Sequence, residues 1–369
     1  MSSHQDPHDL SARGEVPGSP DPDNPDQDLL PETPLAASVN SPARMGSGPI
    51  PPATRLQTET APGLNADADS ESGAADTGAP HDTAITSKTT LILRRLVRNK
   101  GAVLGMIMLL LIVLFALFGN IGNPYTYYDQ DMLNLGSPPG SDGHRVGTNG
   151  GGVDLWAMLV RGTGKSLMIA FFVGIVAPLI AAVYGTAIAF WGGTREKIGM
   201  WILDLLLLMP YFLIIAVFMG STGGSAFQLA IMLTMFGWMG LARVIRATTQ
   251  SLREREFVQS ARYMGVSDWG IIRRHIIPNI GSYLILNIVI GTFSAIIAET
   301  ALSFLGVGVR PPDVSLGQLI GQSASQLSAY PWLFWGPVIC LQWITLSLSL
   351  VGDGMRDALD PNSKSGGRA

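Results

Sequence analysis

Six apolar stretches with almost no charge follow one another between residues 101 and 352, and no other feature limits the fold of this chain as strictly. Gly101 to Gly119 holds 19 uncharged residues, and at about 1.5 Å per residue a helix of that length nearly matches a hydrocarbon layer of about 30 Å. Ser166 to Gly193 is uncharged over 28 residues. Gly199 to Gly220 is broken only by Asp204, Ser221 to Ala242 is uncharged, Asn279 to Ala298 runs up to Glu299, and Trp332 to Gly352 is uncharged. A buried soluble helix accounts for any one of these, but not for six in succession. Inside a bilayer only helices and closed barrels satisfy every backbone polar group. The sequence therefore predicts an all-α polytopic membrane protein with about six spans, near 101–119, 166–193, 199–220, 221–242, 279–305 and 332–352. Charged residues make up 14% of the chain, against roughly 25% in soluble proteins, which argues against a water-soluble enzyme. Cys340 is the single cysteine, so an internal disulfide or a thiolate cluster is excluded.

Charge divides the chain in two. Residues 1–87 hold 14 acidic residues against three basic ones, a balance of −11, while the remainder carries +7. The same stretch holds 13 of the 24 prolines, and such a composition buries too little apolar surface to order itself. It reads as a disordered, acidic, Pro-rich cytoplasmic tail, without the basic start and apolar stretch of a secretory signal. Given an inner N-terminus, alternating spans assign 17 Lys and Arg to inner segments. Only Arg145, Arg161, Lys165 and Arg310 fall outside. That asymmetry places both termini in the cytoplasm, with 362–369 a short inner tail.

The outer segment 120–165 ends in Gly162-Thr163-Gly164-Lys165-Ser166, which looks like the close of a phosphate loop. The full pattern needs a glycine at 159, where Leu159 stands, and a preceding strand, so nucleotide binding there is rejected. A second outer segment, 306–331, opens with Gly-Val-Gly-Val-Arg-Pro-Pro and is expected to cover or partly re-enter the pore. The inner segment 243–278 reads as a basic helix, a glycine, and a second helix capped by Ser267 or Asp268 that runs into Pro278. Helical spacing groups Phe257, Ala261 and Met264 on one apolar face. Such a helix lies on lipid or plugs into a soluble partner.

Gln259-Ser260-Ala261, then Gly265, then His275-Ile276-Ile277-Pro278 resembles the EAA loop of permease subunits of ABC importers. Arg274 through Asn279, Glu299-Thr300-Ala301-Leu302-Ser303-Phe304-Leu305-Gly306 and Gly352-Asp353-Gly354-Met355-Arg356-Asp357 narrow the likeness to the C-type subunit of dipeptide and oligopeptide permeases. Gln259 stands where the motif has glutamate, and Val153, within Gly147 to Leu155, where the family's outer motif has arginine. The resemblance covers about 88–361 and implies a type I ABC importer permease fold. It implies transport of peptides, although relatives carry nickel complexes or other small solutes. The implied partners are a homologous second permease, two ABC ATPases that hold ATP and Mg2+, and an extracytoplasmic substrate-binding protein, all at the cytoplasmic membrane. Its coupling loop, 243–278, implies contact with the ATPases through Arg255, Glu256, Phe257, Gln259, Ser260, Ala261, Arg262, Met264, Gly265 and Asp268. Gly265 fits a position where φ is positive or a side chain would collide.

Acidic residues inside a membrane are costly and mark function or pairing. Asp204 falls within about a turn of the inner end of its span, where a structural pairing with an arginine or with backbone freed by Pro210 is the favoured reading; Glu299 falls near the outer end of the fifth, where an outer-gate or packing hydrogen bond weighs as much as contact with a peptide amino group. Glu299, Asn287 and Gln342 are the candidates for the substrate path. Four of the five histidines lie in tail or loop and they form no ligand set with one another, so no metal site is expected, and the chain itself is expected to bind no cofactor. Its juxtamembrane basic residues suit anionic lipid rather than nucleic acid. Two rivals stay open: a proton-coupled transporter working through Asp204 and Glu299, and a scaffold that recruits proteins through its acidic tail.

Overall fold

The computed structural model describes residues 88–359. The expectations for the tail 1–87 and for the last ten residues lie outside that range. Helices α1 (Lys88–Arg98) and α2 (Lys100–Phe118) meet at Asn99. Its side chain accepts the N–H groups of Gly101 and Ala102 and so starts α2 as an N-cap. Helices α3 (Leu155–Trp191), α4 (Gly193–Leu207), α5 (Tyr211–Thr222), α6 (Ala226–Gly237) and α7 (Met239–Arg253) follow. Two short helices, α8 (Glu256–Tyr263) and α9 (Asp268–Ile271), lead through a π-helical turn at Ile272–Ile276 into α10 (Ile277–Phe304). Helix α11 (Leu316–Ser323) and the closing α12 (Pro331–Leu359) complete the set. Five helical runs are long and apolar enough to cross a membrane, and the bent pair α4–α5 makes a sixth.

Several boundaries differ from those the sequence predicts, each for a local reason. The second span starts at Leu155 rather than Ser166, because Asp154 caps it by accepting the N–H of Ala157 at 2.9 Å. At 37 residues this helix is roughly 55 Å long, well beyond the hydrocarbon layer. The phosphate-loop lookalike at 162–166 is simply part of α3. The span 199–220 is in fact two helices bent by 66°. Pro210 has no N–H to continue the ladder, and it disfavours helical geometry in the residue before it. The span 221–242 extends as α6 and α7 to Arg253, so Arg243 and Arg246 belong to a membrane helix and the loop expected from 243 begins after Arg253. Pro278, near the start of α10, likewise follows the π-helical turn.

The bundle is centred on α3, which packs along α10 and α7. The crossing with α10 is closest at Gly174, where an added Cβ would lie 2.1 Å from Thr292 Oγ1 and 2.6 Å from its Cα and N. Leu155, Leu167, Leu316 and Ile344 belong to an outer core; Ile169, Ile215 and Leu229 form a second cluster, and Leu203, Ile245 and Leu284 a third, toward the end where α7 stops. Segment 306–331 covers the end of the bundle opposite α8 and α9, with α11 packed on α10, α12 and α3.

Candidate functional site

Below the bundle, α8 and α9 form the helix-turn-helix anticipated for 243–278. Arg255 precedes α8 in extended backbone, Glu256 sits in its first turn and Arg262 in its last, as the helix dipole favours. Met264 caps the helix, and Gly265 then takes φ +76°, with its N–H donating to Arg262 O at 3.0 Å. Ser267 caps α9 by accepting the N–H of Gly270. The Gln259 amide donates to Arg253 O at 3.1 Å, and the Arg262 guanidinium lies 4.9 Å over the Phe190 ring at the inner end of α3.

The apolar face is not the one that spacing suggests. Ala261 is buried with Val258 against Phe190, Ile271, Ile272 and Ile276, so it fastens the loop to the bundle instead of presenting a surface. Met264 lies beyond the last turn of α8 and escapes its periodicity. The outward apolar set is Phe257, Tyr263 (88% exposed), Met264 (75%), Val266 and Trp269. Three of these, Tyr263, Val266 and Trp269, were missed; aromatic residues in an otherwise charged loop were the available signal. Arg255, Glu256, Ser260, Gly265 and Asp268 are exposed around them, and Gln259 is half-buried.

A cavity of about 410 Å³ opens between α3, α5, α6 and α10, lined among others by Pro178, Tyr211, Phe236, Gly237, Asn287 and Ser294. Of the three substrate-path candidates, the structure brings only Asn287 to it. Gln342 is exposed on α12, away from this cavity.

Glu299 is fully buried, which favours the packing hydrogen bond over contact with cargo as its role. Its two oxygens accept from Ser166 Oγ at 2.9 Å and Ser303 Oγ at 2.8 Å. Each serine in turn accepts a backbone N–H, of Leu316 and of Val309 respectively. A backbone N–H only donates, so each hydroxyl proton is left to point at the carboxylate. Asp204 has the arginine partner favoured for it, Arg243. Its depth is revised: α4 starts at Gly193, so Asp204 lies about three turns inside the helix, roughly 16 Å from its start.

At the end of the bundle opposite α8 and α9, Asp313 accepts from Lys165 (3.1 Å) and from the N–H of Ala226 (3.1 Å), tying the covering segment to α3 and α6. Burial pushes its carboxyl up, but the Ala226 N–H and the Lys165 ammonium outweigh that and hold it below the usual range. His144 is buried between Asp154 (2.8 Å) and Asp131 (3.5 Å) and stacks on Tyr125.

Six spans, a cavity between four of their helices and a helix-turn-helix anchored at one end of the bundle define a membrane-embedded transport permease subunit. Residues 133–365 match the model of the binding-protein-dependent transport system inner membrane component, and 87–139 that of the N-terminal TM domain of oligopeptide transport permease C. The chain belongs to this permease family. It is 45% identical over 285 residues to the oligopeptide transport system permease protein OppC of Mycobacterium tuberculosis, covering 77% of this chain and 98% of that one. The Escherichia coli K12 OppC is 32% identical, with 73% and 90% covered, and the dipeptide permease DppC of Bacillus subtilis 30%, with 73% and 84%. A chain of the inward-facing MetNI methionine ABC transporter overlays 55% of this chain and 97% of its own at 17% identity, with a TM-score of 0.43.

Proposed function

We propose that this chain is the C-type transmembrane subunit of an ATP-driven importer that moves oligopeptides or dipeptides across the cytoplasmic membrane. It pairs with a homologous permease, rests on two ABC ATPases and receives cargo from an extracytoplasmic binding protein. ATP and Mg2+ belong to the ATPases, and this chain catalyses no bond chemistry. Both termini are cytoplasmic under this reading, and α8–α9 faces the ATPases. The names of the relatives support peptide as cargo. The observation that carries coupling is the outward cluster of Phe257, Tyr263, Met264 and Trp269 on a loop locked to α3 and α10 through Val258, Ala261 and Ile272. An apolar patch with a charged rim suits a protein groove, and a loop so anchored transmits movement of the ATPases to the spans as a rigid lever.

The test is co-purification of the tagged chain from its own host in mild detergent, comparing wild type with Gly265→Asp. No atom of this chain lies within 4 Å of a Cβ at Gly265, so the substitution costs the chain only the strain of positive φ, about 1–2 kcal/mol. It does place a charge on the outer face. Wild type is expected to bring down a second permease and ATPases, and the variant to keep the permease and lose the ATPases. Absence of any ATPase with folded wild type overturns the importer reading.

A further inference from the structure

Asp204 and Arg243 form an ion pair whose side chains are 52% and 51% exposed. That is an odd place for bare charge. Ala242, beside Arg243, packs its carbonyl on Gly185 of α3. Gly185 is six residues short of the end of α3 at Trp191, or roughly 9 Å along the helix. The surface layer lies beyond it, where Glu196 accepts from Arg246 and Gln250 at 2.6 Å each. The pair therefore sits inside the apolar zone, among the exposed side chains of Trp201, Leu205 and Leu208.

The other deep carboxylate shows how this chain treats a charge it means to hide. Glu299 is enclosed completely and satisfied by two hydroxyls. No such enclosure surrounds Asp204 and Arg243, and lipid does not tolerate a half-bare pair, so this face borders water or protein. Neither residue lines the cavity, but both lie beside stretches of chain that do. Gly237 lines it, and Gly240 and Arg243 continue the same row at helical spacing on α7; Tyr211 lines it just past the α4–α5 break, and Asp204 lies one turn before that break.

We propose that Asp204 and Arg243 form a charge-exchange station on the wet inner portion of the substrate route, where they take the ammonium and the carboxylate of a zwitterionic peptide. This rests on the peptide-importer reading. Opening the pair strands an anion and a cation in a weakly polar channel, which is costly. A solute with both charges replaces each partner, whereas a blocked or singly charged solute leaves at least one stranded. The station thus selects solutes by the presence of both termini.

The test uses the assembled complex in inside-out vesicles, where the inner mouth faces the medium and no binding protein is needed. Cys340→Ser removes this chain's one native thiol, and Gly240→Cys adds a reporter, read on this chain's band, where no atom lies within 4 Å of the new Cβ. A membrane-impermeant maleimide is expected to label the Gly240→Cys complex. Millimolar dialanine should slow labelling several-fold, and N-acetyl-dialanine amide should not. Protection should vanish in Asp204→Asn and in Arg243→Gln, with assembly checked by co-purification. The exchanged pair Asp204→Arg with Arg243→Asp keeps a partner for each charge should a single variant fail to assemble, and should recover protection. No labelling in the complex means that a protein surface covers the face and overturns the proposal, as does labelling indifferent to dialanine. Wild-type ATP-driven peptide uptake, measured beside it, separates the two failures: intact uptake without protection removes the station alone, and absent uptake removes the importer reading with it.

Discussion

Replacing the Glu299 carboxylate by an amide changes which of its two arms can exist. Both oxygens accept from serine hydroxyls that are themselves committed to the N–H groups of Val309 and Leu316. A glutamine side chain at this position would offer one acceptor only, leaving one hydroxyl proton buried without a partner, at about 1–3 kcal/mol. Glu299→Gln is therefore expected to lower the Tm of the purified complex and to raise hydrogen exchange at 305–316 more than elsewhere. An unchanged Tm with unchanged exchange would refute the clamp. The sequence shows Glu299 to be special, since it interrupts an apolar run. Its partners were hidden, because Ser166 is 133 positions away and the serine on its own helix, Ser303, has no distinguishing neighbour. Ala261 carries the same lesson: spacing puts it on a face with Phe257, but only the fold shows Phe190 waiting on that side.

Elements were legible where a helix carries a long uncharged run, as α2 does after Lys100 and α12 does up to Gly352, and blurred where the chain is capped or broken by a single residue. Asp154 adds eleven residues to the expected second span, and Pro210 divides the third. The α3–α10 crossing was not legible at all, because nothing marks Gly174 apart from other glycines. Gly174→Ala is expected to disrupt it, costing about 1–3 kcal/mol as overpacking does, with loss of monodisperse complex in size-exclusion chromatography. Thr292→Ala should not rescue it, since the clash includes the Thr292 backbone; recovery by that second change would show the contact to be softer than drawn. Within α8 and α9, burial separates two kinds of variant. Val258→Asp should lower Tm, as a charge forced into the cluster under α3. Trp269→Ala should leave Tm unchanged but weaken ATPase retention by about 1–4 kcal/mol, the range of an interface anchor. The opposite assignment of the two effects would mean that the outward cluster rests on lipid.

For the molecule as a whole, six alternating crossings put the two ends of the described chain on one side of the membrane, whichever side that is. The choice of side comes from the basic residues, 17 against four, and it survives the transfer of Arg243 and Arg246 from the inner loop into α7, because Arg253 ends that helix and Arg255 to Arg274 still lie with α8, α9 and the turn after them. It can be read directly with the Cys340→Ser background. Leu133→Cys, at a position 94% exposed in the segment before α3, and Tyr263→Cys, on the helix-turn-helix, report the two faces. An impermeant maleimide added to intact cells is expected to label Leu133→Cys and spare Tyr263→Cys, and inside-out vesicles should spare Leu133→Cys and label Tyr263→Cys wherever the ATPases leave it uncovered. If Tyr263→Cys reacts in intact cells, the helix-turn-helix faces outward, where no ATP-driven motor could reach it, and the orientation and the coupling role fall together. If neither position reacts in one of the preparations while Leu133→Cys reacts in the other, a partner covers Tyr263. The same labelling repeated after the ATPases are stripped then tells whether they are that partner.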